Sequence, residues 1–179
     1  MERLKISKMD VARRQLETAI KMFFEEKDAV SVHTLAFAAH EILWDIGKKR
    51  GVRSFLKGPN PFIKKEKRAE FEEMVKKWAN SFKHGKRDAS EILEFNPEVN
   101  EFFLIDAVDM FKQLNPHIPA SPLMALMKRW FHLAKPDISG DSEELRGFRI
   151  YAEKLGLKPE NKKRFLEIES EVARQLSSP

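Results

Sequence analysis

The chain contains no cysteine. This absence excludes disulfide scaffolds, zinc sites built from thiolates and cysteine nucleophiles, and it fits a reducing compartment. Any metal would have to be held by histidines and carboxylates. The alternation of Val, Ile, Thr and Tyr that marks strands is also missing throughout, so the sequence predicts an all-α protein.

Long apolar runs are lacking as well. No segment approaches the roughly 18 uncharged apolar residues of a membrane span, and the N-terminal residues 1–5 lack the apolar stretch of a signal peptide. We therefore expect a cytoplasmic protein that makes no membrane contact. The 179 residues, 42% of them hydrophobic, are enough for one substantial core and too few to need a second domain.

Seven helices are predicted, with a four-helix bundle core at 1–115 and a C-terminal helical extension packed on it at 116–179. The second helix is apolar on two sides, which predicts that it is central and the most buried. A capping box at Ser7 and Asp10 opens the first helix, Asn96 and Pro97 open the fourth, and Ser121 and Pro122 open the fifth. The approximate ranges are 7–26, 31–50, 64–83, 96–114, 121–133, 143–155 and 159–176.

Positive charge is concentrated in one part of the chain. The window 48–87 holds fourteen Lys or Arg and four Glu, a net charge of +10, whereas the whole chain carries +5. The remainder is therefore −5, and a basic surface has been added to an otherwise acidic protein. Such a surface favours an anionic partner, with nucleic acid the first candidate. The predicted contacts are Lys48, Lys49, Arg50, Arg53, Lys64, Lys65, Lys76 and Lys86.

The window ends in a polar cluster, Asn80-Ser81-Phe82-Lys83-His84-Gly85-Lys86-Arg87-Asp88. A helix that ends in Asn-x-x-Lys-His-Gly before a strongly apolar helix resembles the signature region of the HEPN group (higher eukaryotes and prokaryotes nucleotide-binding). The resemblance covers about residues 5–115. It implies a four-helix core, frequent dimerisation and, in some members, RNA cleavage through a 2′,3′-cyclic phosphate. Asn80 and His84 match the motif, but Ala79 stands where the family has arginine.

The residues of this cluster suit phosphate chemistry. His84 would take the proton of a ribose hydroxyl, and Lys83 with Arg87 would stabilise the charge on phosphorus, with Asn80 beside them. The alternative is structural, because basic residues at a helix C-terminus favour the dipole and bond its last carbonyls. Without the motif arginine, we expect binding without cleavage.

His33 and His40 are two helical turns apart, about 10.5 Å along the axis. That spacing is too long for both to bind one ion unless they bend toward it. They are therefore secondary metal candidates, and packed histidines beside aromatic residues are the ordinary interpretation. The sequence indicates no cofactor.

These patterns predict a helical protein that binds RNA or another polyanion through the 48–87 surface. They are also compatible with a homodimer. Two alternatives stay open. One is a metal-independent ribonuclease that uses His84. The other is an interaction module that docks an acidic protein partner through the same surface.

Overall fold

The computed structural model describes residues 3–57, 65–82, 90, 92–138 and 142–177, with only the backbone at residues 65, 72 and 172–177. Its helices are α1 (Lys8–Phe24), α2 (Ala29–Gly47), α3 (Arg68–Ser81), α4 (Val99–Leu114), α5 (Pro122–Ala134), α6 (Glu143–Lys154) and α7 (Lys162–Ser177), with 3-10 turns at Lys48–Arg50 and Lys65–Lys67. No strand occurs in the described residues, and the predicted all-α class is confirmed. None of the described helices combines the length and apolarity needed to cross a bilayer.

The helix starts follow from short capping motifs. The Ser7 side chain accepts a hydrogen bond from the backbone N–H of Asp10, and the Asp10 carboxylate accepts one from the Ser7 backbone, so the predicted capping box is present. Ser121 caps α5 ahead of Pro122 in the same way. Asp28 caps α2 through the backbone N–H of Ser31, at 2.8 Å, so α2 begins before the predicted residue 31.

The prediction for the start of α4 was two residues early. Asn96 accepts a hydrogen bond from the Glu98 backbone N–H at 3.0 Å, which makes a turn rather than the helix cap. Residues 97 and 98 form that turn, and α4 begins at Val99. Helix α3 lies inside its predicted range, because residues 65–67 are 3-10, and α7 begins at Lys162 rather than at the predicted Pro159.

The core is centred on α1, α2 and α4, which pack against one another, and α5 packs on α1 and α4. The prediction that α2 is the most buried helix is wrong, since eleven α4 residues are buried against eight in α2. Helix α4 lies against α1, α2 and α5, and it buries the polar residues Asn100, Glu101 and Asp106 as well as apolar ones.

The packing of α5 depends on Trp130. Its ring meets the rings of Phe23 and Phe24 edge-on, with centroids 4.8 and 6.1 Å apart, and its indole N–H donates to the Pro159 carbonyl at 2.9 Å. Phe165 of α7 lies against Phe24 on the same side. Residues beyond 115 thus complete the apolar core.

Candidate functional site

The segment after α2 holds the first basic residues of the 48–87 window in a defined conformation. We call Lys48–Arg53 the basic turn. Its 3-10 part ends at Gly51, whose φ of 75° is left-handed and therefore suited to glycine. The Val52 backbone N–H then donates to the Gly47 carbonyl at 3.2 Å, which closes the turn against the end of α2.

Helix α4 holds the chain that follows. The Gln113 side-chain amide accepts from the Arg53 backbone N–H at 2.9 Å and donates to the Arg53 carbonyl at 2.8 Å. The Asp106 carboxylate accepts from the Ser54 hydroxyl at 2.5 Å and from the backbone N–H groups of Phe55 and Leu56 at 3.1 and 3.3 Å. Five hydrogen bonds thus fix residues 53–56, so the neighbouring cations project from a rigid backbone.

Asp106 also binds His40. The His40 Nε2 lies 2.8 Å from Asp106 Oδ2, and its Nδ1 lies 3.7 Å from Glu41 Oε1. Burial disfavours the charged imidazole, but the hydrogen bond to Asp106 and the nearby Glu41 carboxylate outweigh it, so the pKa of His40 is raised. Glu41 in turn lies 2.7 Å from the Lys57 ammonium. Burial acts to raise the pKa of Glu41, but His40 and Lys57 outweigh it and lower that pKa to about 2.

His33 occupies a separate place in the core. Its Nδ1 lies 2.8 Å from the Asn100 side-chain oxygen Oδ1, and its ring lies among Phe82, Phe95 and Phe103. The two histidines thus bond to different residues of α4, and the interpretation as packed histidines beside aromatics is confirmed. Among the described residues, no three potential metal ligands come together.

Helix α3 turns its lysines outward, as predicted. Lys76 and Lys77 are exposed, whereas Val75 and Trp78 are buried. Lys76 lines a crevice together with Lys57, which follows the basic turn, and the crevice wall is apolar. The two basic segments on either side of residues 58–64 therefore meet at one surface. We call the exposed or half-buried cations of both segments the basic surface: Lys48, Lys49, Arg50, Arg53, Lys57, Lys67, Arg68, Lys76 and Lys77.

Some of these cations are already paired. Lys48 lies 2.6 Å from Asp45 Oδ1, and Lys67 lies 2.7 Å from Glu70 Oε2. In contrast, Lys49, Arg50 and Arg53 are exposed and form no ion pair with any residue that the structure describes. These three are the cations of the basic surface most open to an external anion.

The motif residues are only partly described. Lys83, His84, Lys86 and Arg87 lie outside the described residues, as does Lys64, and for Lys65 only the backbone is described. Asn80 is exposed near the end of α3. Ala79, at the position of the family's arginine, is buried in the core with Val75 and Trp78. A side chain at 79 therefore starts on the core side of α3 rather than on its basic side.

No protein-family model matches the chain, and searches of curated proteins and of solved structures returned no match either.

Sequence reasoning missed the α4 residues Asn100, Asp106, Asp109 and Gln113. Polar residues within a strongly apolar helix were the available signal, since Asp106 stands between Ile105 and Ala107, both buried. Burying a carboxylate there is costly unless it is paired, which predicts partners from elsewhere in the fold. The sequence could not identify those partners, because they lie about fifty or more residues away.

Proposed function

We propose that this protein binds RNA or nucleotide phosphates through the basic surface and does not cleave them. The observation that carries the proposal is that Lys57, beside the basic turn, and Lys76 of α3 line one crevice. The crevice thus brings one cation from each of the two described parts of the basic window together. Phosphate contacts from such a surface are electrostatic and independent of base sequence.

The rigidity of residues 53–56 supports the proposal. Ordering flexible side chains and backbone on binding costs free energy, and a backbone that is already held by Gln113 and Asp106 avoids part of that cost. Lys49, Arg50 and Arg53 are then presented without a competing carboxylate among the described residues.

Binding without cleavage is the form we favour. The family's chemistry uses an arginine at the position of Ala79, and Ala79 is buried in this fold. A lysine or arginine elsewhere in the cluster would have to replace it, and a lysine lacks the two-pronged contact that a guanidinium makes with phosphate.

Charge reversal tests the proposal. The variant Lys49→Glu, Arg50→Glu, Arg53→Glu should bind a short single-stranded RNA at least about tenfold more weakly than wild type at low salt, measured by fluorescence anisotropy. The matched control is Lys8→Glu, Arg13→Glu, Arg14→Glu on α1, which makes the same change in net charge at three exposed sites. Because acidic residues suit the first turns of a helix, the control should fold and bind nearly as wild type. Equal binding by wild type and the first variant would instead favour the acidic protein partner.

A further inference from the structure

A cavity of about 620 Å³ lies beside the basic turn. Helix α2 contributes Trp44, and α4 contributes Asp106, Asp109 and Gln113. The remaining wall is residues 52–55, the segment held by Gln113 and Asp106. The cavity volume lies within the usual range for small-molecule sites, about 300–1,000 Å³.

Asp109 is the acceptor left available in this cavity. Burial raises the pKa of its carboxyl group, Lys128 opposes that rise and Asp106 adds to it. Asp106 is already engaged by His40, Ser54 and two backbone N–H groups. In contrast, Asp109 accepts no hydrogen bond from the residues that the structure describes. A ligand that donates N–H groups to such a half-buried carboxylate forms charge-assisted hydrogen bonds, and these stabilise the complex.

Trp44 and Arg53 supply the other two contacts that a nucleotide needs. Trp44 is half-buried and stands one helical turn before Lys48, at the start of the basic turn. Its indole offers a flat surface on which a base can stack. Arg53 borders the cavity and also belongs to the basic surface, so its guanidinium is placed for a phosphate attached to a base inside.

We propose that this cavity binds the guanine base of a nucleotide: Trp44 stacks on the base, Asp109 accepts its N1 and N2 hydrogens, and Arg53 contacts the phosphate. The inference rests on the proposed function and names the base of that same site. A carboxylate can only accept, and guanine presents two adjacent donors on its Watson–Crick edge. Adenine and cytosine place an acceptor beside their amino group, and uracil flanks its one donor with two carbonyls, so these bases fit less well.

The direct test is calorimetric titration of the full-length protein with the 5′-monophosphates of guanosine, adenosine, cytidine and uridine. Guanosine monophosphate should bind at least about tenfold more tightly than the others, as expected for a good two-donor contact. Trp44→Leu should weaken binding by about tenfold, and Trp44→Phe, which keeps an aromatic face, by less.

The variant Asp109→Asn tests directly whether the side chain at 109 selects the base. Asparagine presents one acceptor and one donor, so guanosine monophosphate should lose at least about tenfold in affinity. Xanthosine monophosphate has a carbonyl in place of the amino group, so the same variant should bind it more tightly than wild type does. A role of Asp109 in folding alone would not move this preference. Asp137→Asn, an exposed aspartate outside the cavity, is the matched control.

Two short RNAs that differ by a single guanine separate a free nucleotide from a base within RNA. Discrimination by the monophosphates alone identifies a free nucleotide, and discrimination by the RNAs identifies a base in a strand. Either result supports the inference. Equal affinity for the four monophosphates and equal affinity for the two RNAs, with Asp109→Asn binding as wild type, would overturn it. RNA binding that still responds to charge reversal of Lys49, Arg50 and Arg53 would leave the proposed function standing in that case.

Discussion

His40 connects the core to the basic surface at the scale of single residues. It lies between the carboxylates of Asp106 and Glu41, and Glu41 continues the chain of charges to Lys57 on the surface. Asp106 meanwhile holds the backbone of residues 55 and 56. The charge on one buried imidazole thus bears on the segment that presents the cations.

The raised pKa of His40 gives stability a defined pH dependence. When the folded pKa lies above the unfolded value near 6.5, the stabilisation is complete below that value and is lost as pH rises through the folded pKa. The raised pKa of Asp109 likewise makes the free energy of unfolding fall as pH rises, and it does so at lower pH values than His40. The lowered pKa of Glu41 has the opposite sign, and its contribution is lost only as pH falls below about 4.5.

His40→Gln isolates this effect, because glutamine keeps a neutral N–H donor and does not titrate. The thermal midpoint of wild type should fall by several degrees more than that of the variant between about pH 6 and about pH 9, since roughly 1 kcal/mol corresponds to about 2–4 °C at this chain length. Thermal unfolding followed by circular dichroism measures the midpoints of both proteins across this pH range. Parallel pH profiles for the two proteins would show that His40 contributes no titrating charge to stability.

At the scale of secondary-structure elements, the end of α2 and Val52 pack closely together, and this contact determines the path of the basic turn. A Cβ built on Gly47 would come within 2.6 Å of the Val52 Cβ. Only glycine lets the chain return so closely against the helix that it has just left. Gly47, rather than Gly51 alone, is therefore what sets the path of the basic turn.

Gly47→Ala should destabilise the fold by about 1–3 kcal/mol, the usual cost of overpacking. It should also weaken RNA binding, because Val52 and the cations beside it must move. Gly147→Ala on α6 is the matched control, since no described residue outside the local helix backbone lies within 4 Å of a Cβ there, and it should stabilise by up to about 1 kcal/mol. Urea unfolding measures both. A Gly47 variant as stable as its control would mean that the approach to Val52 relaxes without cost.

The elements show what the sequence could and could not predict. Ser7, Asp10 and Ser121 act within four residues of themselves, so their motifs predicted the helix starts. Asn96 and Pro97 carry the same signal, yet the turn that they make ends before α4 begins. The burial of α4 depends on its neighbours in space, and the periodicity of one helix does not contain that information.

The same distinction holds for the candidate site. The cations at 48–53 follow from charge counting alone. The roles of Asp106 and Gln113 do not, because their partners lie fifty or more residues away in sequence. Polar residues on a buried helix predict that partners exist and leave their identity to the fold.

At the scale of the whole molecule, the described residues form a helical core that carries the basic surface. Its chemistry at the RNA backbone should be limited to binding. Wild type should therefore give no shortened RNA and no cyclic-phosphate product on long incubation with end-labelled RNA, followed by gel electrophoresis. Product that disappears in His84→Ala while RNA affinity stays intact would establish the ribonuclease alternative instead, because a general base contributes little to ground-state binding.

The salt dependence of RNA binding tests the central claim most directly. If the basic surface neutralises about five phosphates of a single strand, log affinity against log salt should have a slope near −3.5 for wild type. Removing three of those contacts in the Lys49, Arg50 and Arg53 variant should reduce the slope to about −1.4. The α1 control should keep the wild-type slope. A flat profile for wild type, or the same slope in wild type and the triple variant, would contradict binding through this surface.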